Sequence, residues 1–235
     1  MYKRVLLKLS GESLGGPSGK GLDEGCIARY AQQVADAVRA GHQIAIVNGG
    51  GNIFRGLQGT GRGFDRVDGD KMGMLATVIN SMALCQFIRS FGVKAEVFTA
   101  TPMEPIARYY VRDAALKLME EGGVALIAGG TGNPFFTTDT AAALRALELR
   151  ADAVFKGTTV DGIFDSDPRK NPNAKLLKDI TYQEALDKNL KVMDATAFQL
   201  CMDQHLPCIH VFNMDNLENI LAVASGKDLG TVVHA

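Results

Sequence analysis

The strongest constraint on the fold is an alternation. Short apolar runs, RVLLKLS (4–10), QIAIVN (43–48), AEVFTA (95–100), VALIAG (124–129), ADAVFKG (151–157), CIHVFN (208–213) and TVVHA (231–235), are separated by segments of helical periodicity. Most of these runs are continuously apolar, which suits strands covered on both faces. Between the first two, Asp23 is placed to cap a helix whose Ile27, Tyr30, Val34 and Val38 share one face, and Gly41 stands where a left-handed stop is expected. Segments 70–90, 112–121, 139–149, 194–205 and 216–224 read as helices in the same way. Repeated β-then-α order predicts an α/β protein: a three-layer αβα sandwich with a mainly parallel central sheet and ligands at the carboxyl ends of its strands.

The 235 residues, 46% hydrophobic and 22% charged, can bury a core and predict a single domain over 1–235. With 25 basic against 26 acidic residues there is no bulk attraction toward nucleic acid or an anionic membrane, so any phosphate site must be local. Cys26, Cys85, Cys201 and Cys208 form no CxxC pair and read as reduced core residues of a cytoplasmic protein. No apolar run approaches the ~20 residues of a membrane span, and the N-terminal apolar stretch is too short for a secretion signal.

The unusual residues follow the strands. KLSGES (8–13), NGGGNIFRG (48–56), GGTGNPFFTTD (129–139) and KGTTVDGIFDSDP (156–168) each place glycines or hydroxyls where a strand leads toward a helix. Free backbone N–H groups and the helix dipole favour an anion there, and four such loops imply a ligand with several phosphates. Gly49, Gly50 and Gly51 let backbone approach a ligand closely, and Arg55 can add a bidentate fork. GGPSGKG (15–21) resembles a phosphate-binding P-loop but has three residues between Gly15 and Gly19, and Gly21 follows Lys20 where Ser or Thr is required. It reads as a flexible or regulatory loop.

Lys8 and Lys156 fill the place of the missing P-loop lysine. Lys8 interrupts an apolar strand and Lys156 ends one, so two ammonium groups emerge beside glycine-hydroxyl loops. Phosphoryl transfer needs positive charge around the migrating group and in-line placement more than covalent help. Asp139, at a helix start, is either an N-cap or the group that holds the two lysines in place.

In order along the chain, KLSGE (8–12), GGGNIFRG (49–56), GDKMGMLAT (69–77), GTGNPFFTTD (130–139), KGTTVDGIFDSDP (156–168), KVMDATA (191–197) and VFNM (211–214) closely resemble the bacterial UMP kinases, the uridylate kinases of the amino acid kinase superfamily. The likeness runs nearly end to end, and GTGNPFFTTD is particular to those enzymes within the superfamily. It implies an ATP- and Mg²⁺-dependent kinase of pyrimidine nucleotide biosynthesis that turns UMP into UDP, with the N-terminal part mainly on the UMP side and the C-terminal part mainly on the ATP side. By position, Lys8, Leu9, Ser10, Gly11, Gly51 and Arg55 meet ATP phosphates, and Thr158, Phe164 and Asp167 surround its nucleoside. Gly50, Asp70, Thr131, Gly132, Asn133, Pro134, Phe135, Phe136, Thr137 and Thr138 hold UMP. Asp70 offers a carboxylate to the ribose hydroxyls, although Asp70 or Asp68 could instead cap its helix, and Phe135 and Phe136 either wall the base or anchor the loop in the core. Lys8, Lys156, Asp139 and Arg55 are the expected catalytic group. Gly157 and Thr159 depart from the alanine and lysine of many members. The resemblance further implies a homohexamer activated by GTP and inhibited by UTP, with Gly16, Pro17, Ser18, Gly19, Lys20 and Gly21 matching the GTP loop. Another superfamily phosphotransferase, or a non-enzymatic nucleotide-binding regulator on the same fold, are the alternative readings.

Overall fold

The computed structural model describes residues 1–54 and 65–235. In chain order its elements are β1 (Arg4–Leu9), α1 (Gly11–Leu14), a 3-10 turn (Gly16–Ser18), α2 (Glu24–Arg39), β2 (Gln43–Asn48), α3 (Arg66–Ser90), β3 (Ala95–Thr99), β4 (Arg108–Tyr109), α4 (Arg112–Glu120) and β5 (Val124–Ala128). There follow α5 (Thr138–Glu148), β6 (Ala153–Thr158), β7 (Asp179–Thr181), α6 (Tyr182–Asp187), α7 (Ala195–Asp203), β8 (Cys208–Asn213), α8 (Asn219–Ala224) and β9 (Thr231–His234). All the expected strands and helices are present with ends shifted by a few residues. The short β4, β7, α1 and α6 were not foreseen, because two to six residues carry too little periodicity.

The strands form one sheet in the order β4-β3-β5-β2-β1-β6-β8-β9-β7, parallel throughout except where β9 runs against β8. Helices α2, α3 and α8 bury their apolar residues against one face, and α4, α5, α6 and α7 against the other. This is the expected αβα sandwich. In central β1, Val5, Leu7 and Leu9 join the first core and Leu6 the second, so successive side chains serve opposite layers. Both faces are apolar, which is why the runs read as continuous.

Local chemistry sets the helix ends. Asp23 caps α2, its carboxylate accepting the Cys26 N–H at 2.7 Å, and Gly41 follows the helix with φ 96°. Helix α3 begins earlier than expected, and its cap is Asp65, which accepts the Val67 N–H at 3.0 Å; neither Asp70 nor Asp68 fills that role. By length and composition α3 is apolar enough to cross a membrane, contrary to the expectation from its sequence. Its buried residues Val78, Leu84, Cys85 and Ile88 nevertheless pack within the sandwich. All four thiols are free; Cys85, Cys201 and Cys208 are buried, whereas Cys26, expected in the core, is only half-buried.

Candidate active site

Strand parity aims the two lysines. On β1 and β6, Leu6 and Val154 face the layer that contains α5, and the residues two places on, Lys8 and Lys156, point the same way. They are register partners on adjacent parallel strands. Thr137 caps α5 by accepting the Thr140 N–H at 3.1 Å, so Asp139 is not the N-cap and lies in the first turn, facing the strand ends. Its Oδ1 pairs with Lys8 Nζ at 2.9 Å and its Oδ2 with Lys156 Nζ at 2.8 Å. All three side chains are less than a fifth exposed. Burial alone would raise the Asp139 pKa, but the charges of Lys8 and Lys156 outweigh it and hold the carboxyl below its ordinary value. Burial also pulls Lys156 below the usual lysine value, opposed by Asp139 and assisted by the charge of Lys8.

Beside this triad opens a cavity of about 1090 Å³. Lys8, Leu9, Ser10, Gly51 and Thr158 line it, so one space receives five of the residues expected to hold ATP. Gly11 explains how tightly its loops fit: a Cβ there would stand 2.6 Å from Asn52 Oδ1 and 2.7 Å from the Gly49 carbonyl. Met214, of the VFNM segment, also lines the cavity, and a Cβ on Gly157 would come within 2.2 Å of its Sδ. The glycine that departs from the resemblance therefore makes room for Met214. Within the segment expected to be a flexible or regulatory loop, Gly16–Ser18 form a 3-10 turn, and Gly16 through Lys20 form part of the same cavity wall.

The loop from Gly129 to Thr138 stands at the end of β5. Gly129, Gly130 and Gly132 all have positive φ, and the Gly129 N–H donates to Thr77 Oγ1 of α3 at 2.8 Å. Phe135 also takes a left-handed φ of 72°, and its N–H donates to Asp70 Oδ2 at 2.8 Å. Phe135 and Phe136 are 64% and 51% exposed, so they do not anchor the loop in the core. Asp70 itself is gripped by Arg66, whose Nε reaches Oδ1 at 3.0 Å and Oδ2 at 2.9 Å, while the guanidinium lies 5.9 Å from the Phe135 ring centroid. Thr137, besides capping α5, donates its hydroxyl to Asp194, the N-cap of α7.

Of the residues expected to hold ATP, Gly11, Phe164 and Asp167 are not on the cavity wall. Phe164 is bridged to Leu176, and Asp167 accepts the Arg169 N–H at 3.0 Å in a turn. Arg55 lies outside the described residues. Sequence reasoning missed Arg66, which reads as one more helix charge, and the role of Asp194 beyond a helix start. It also missed Asn52 and Asn80, discussed below; a polar residue inside the apolar face of α3 was the available signal.

The model of the amino acid kinase family matches residues 3–213. The uridylate kinase of Bacteroides thetaiotaomicron is 55% identical over 233 residues, covering 99% of this chain and 98% of that protein. That of Porphyromonas gingivalis is 53% identical over 232 residues, covering 99% and 97%. Among solved structures, UMP kinase from Bacillus anthracis superposes with a TM-score of 0.94 at 36% identity, covering 99% of this chain and 96% of that one. With its αβα fold, its paired lysines and a family match over most of its length, the chain belongs to the amino acid kinase family.

Proposed function

We propose that this chain is a UMP kinase that transfers the γ-phosphoryl group of ATP to UMP, giving UDP and ADP for pyrimidine nucleotide biosynthesis. The near full-length likeness to uridylate kinases supports the reading. The observation that carries it is the Lys8–Asp139–Lys156 triad, set where a glycine-walled cavity and the loop 129–138 converge. Lys8 and Lys156 bring two positive charges to the migrating phosphoryl group, and Asp139 offsets their mutual repulsion and keeps them aimed. Because its own pKa is depressed, Asp139 stays ionised and serves orientation rather than proton transfer.

ATP enters the cavity with its phosphates toward Lys8, Ser10 and Gly51, and UMP lies along Thr131 to Thr138 with its ribose toward Asp70. Arg55 adds charge on the phosphate side. Thr158, Phe164 and Asp167 form the nucleoside side, the last two from a neighbouring segment. Mg²⁺, when bound, would neutralise phosphate charge and would be held chiefly through the nucleotide phosphates, since it keeps much of its hydration. That assignment suits the donor set, because Asp139 is committed to two lysines. A homohexamer in the cytoplasm, activated by GTP and inhibited by UTP, belongs to the same reading, and Gly16 to Gly21 is its proposed effector-sensitive segment. A coupled assay with UMP, CMP and dUMP, with and without GTP or UTP, tests it; transfer to UMP no faster than to an unrelated acceptor overturns it.

A further inference from the structure

Helix α3 carries three polar side chains on the side that faces the sheet: Thr77, Asn80 and Ser81, at 6%, 0% and 0% exposure. Burying such groups is costly unless each finds a partner. Ser81 donates its hydroxyl to Asn48 Oδ1 at 2.6 Å, and Asn48 donates to the Thr77 carbonyl at 3.2 Å. Asn80 Nδ2 donates to the Gly49 carbonyl at 2.7 Å and to Asn52 Oδ1 at 2.7 Å. Asn52 Nδ2 answers with a bond to Asn80 Oδ1 at 2.9 Å and another to the Gly21 carbonyl at 2.6 Å, and the Gly21 N–H donates to the Asn52 carbonyl at 2.9 Å.

The network thus ends on backbone of the loops that wall the large cavity. Asn52 touches all of them: it belongs to the 49–52 turn, it ties down Gly21 at the end of the 16–21 turn, and its Oδ1 lies against Gly11. Asn80, buried and remote from solvent, fixes Asn52 through two reciprocal amide bonds. Apolar residues could fill such a helix face equally well if only stability were at stake. A fully satisfied amide pair does something apolar contacts do not, which is to hold loops in one register.

We propose that Asn80 is a positioning residue of the donor site. Acting through Asn52, it holds segments 8–11, 16–21 and 49–52 in the arrangement that receives the nucleotide phosphates, without itself touching a substrate. The inference rests on the ATP-to-UMP reading above.

Asn80→Ser and Asn80→Asp test it, the second keeping the shape but losing the donors to the Gly49 carbonyl and to Asn52 Oδ1. The full-length variants are assayed for kcat, for KM toward ATP and UMP, for binding of a non-hydrolysable ATP analogue by calorimetry, and for Tm. The KM for ATP and the analogue Kd should rise tenfold or more well below Tm, with a much smaller rise in the KM for UMP, whose one proposed contact on this loop is Gly50. Adding Asn52→Ser to Asn80→Ser should add little, because both act on one link. A lowered Tm with unchanged ATP parameters, equal losses toward ATP and UMP, or additive effects of the two serine variants would each overturn it. Should the Asn80 variants fail to fold, Asn52→Ser alone must show the ATP-selective loss, and normal ATP binding there counts against the proposal. Failure of the wild-type chain to phosphorylate UMP would sink the functional reading; analogue binding reports on the Asn80 link separately.

Discussion

Lys8 and Lys156 occupy one rung of the sheet, on adjacent strands β1 and β6, and share a single carboxylate, Asp139. Two like charges are brought side by side because the acid between them makes the arrangement tolerable in the unliganded protein. Nucleotide phosphates then meet a cationic pair that is already aimed.

Replacing either lysine should therefore damage chemistry more than binding. Lys8→Ala and Lys156→Ala are each expected to lower kcat for UMP phosphorylation by about 10²–10³, while the Kd for UMP changes little. Steady-state kinetics with calorimetric UMP titration measures both. Near-wild-type turnover in either variant rules out the two-lysine mechanism.

Asp139→Asn should lower activity and move only the alkaline limb of the pH profile. Lys156 acts protonated, so kcat/KM for ATP falls as pH rises through its pKa, which burial already sets below about 10.5. The carboxylate opposes that depression; deleting it leaves burial and the charge of Lys8 acting alone, and the limb shifts to lower pH. If Asp139 were a general base, the variant would instead lose the acidic limb of the profile.

The arrangement of the triad was legible in the sequence because Lys8 and Lys156 put charges into or at the end of apolar runs. The sheet was legible for a related reason: strands covered on both faces leave uninterrupted apolar stretches. What escaped notice depends on pairing across the fold. Arg66 belongs with Asp70, Asp194 with Thr137, and Asn80 with Asn52, and each partner is distant in sequence or looks like an ordinary helical residue alone. The early start of α3 was hidden because Arg66 to Asp70 is polar and shows no apolar period.

Gly50 and Gly73 should respond oppositely to a methyl group. A Cβ on Gly50 would lie 2.7 Å from both Ala76 Cβ and the Gly73 carbonyl, atoms that a packed helix cannot easily move. Gly50→Ala should cost about 1–3 kcal/mol by overpacking and raise the KM for UMP as the loop is pushed from α3. A Cβ on Gly73 meets nothing within 4 Å, so Gly73→Ala should stabilise the helix by about 0.5–1 kcal/mol. Chemical denaturation of both variants decides; a neutral Gly50→Ala would show that the loop has room to yield.

Asp70 carries the final prediction, because the carboxylate that tethers the loop is also the one proposed to bind the ribose. Its Oδ2 accepts the Phe135 N–H and both oxygens meet Arg66, so it fixes the loop that is proposed to hold UMP. An ionised carboxylate has about four acceptor positions, which leaves a second one on Oδ1, beside the bond from Arg66, for a ribose hydroxyl. A hydrogen bond to a charged group contributes about 1.5–3 kcal/mol, or roughly ten- to a hundredfold in binding. Asp70→Asn should therefore raise the KM for UMP by about that factor and narrow the preference for UMP over dUMP, with the KM for ATP nearly unchanged. Arg66→Ala separates the tasks: it loosens the loop by removing the grip on Asp70 and the guanidinium beside Phe135 yet keeps the carboxylate, so UMP and dUMP should weaken together and the ratio between them should hold. Parallel kinetics on the two substrates distinguishes the variants. An equal loss on UMP and dUMP in Asp70→Asn would mean that the carboxylate only tethers Phe135 and does not read the sugar.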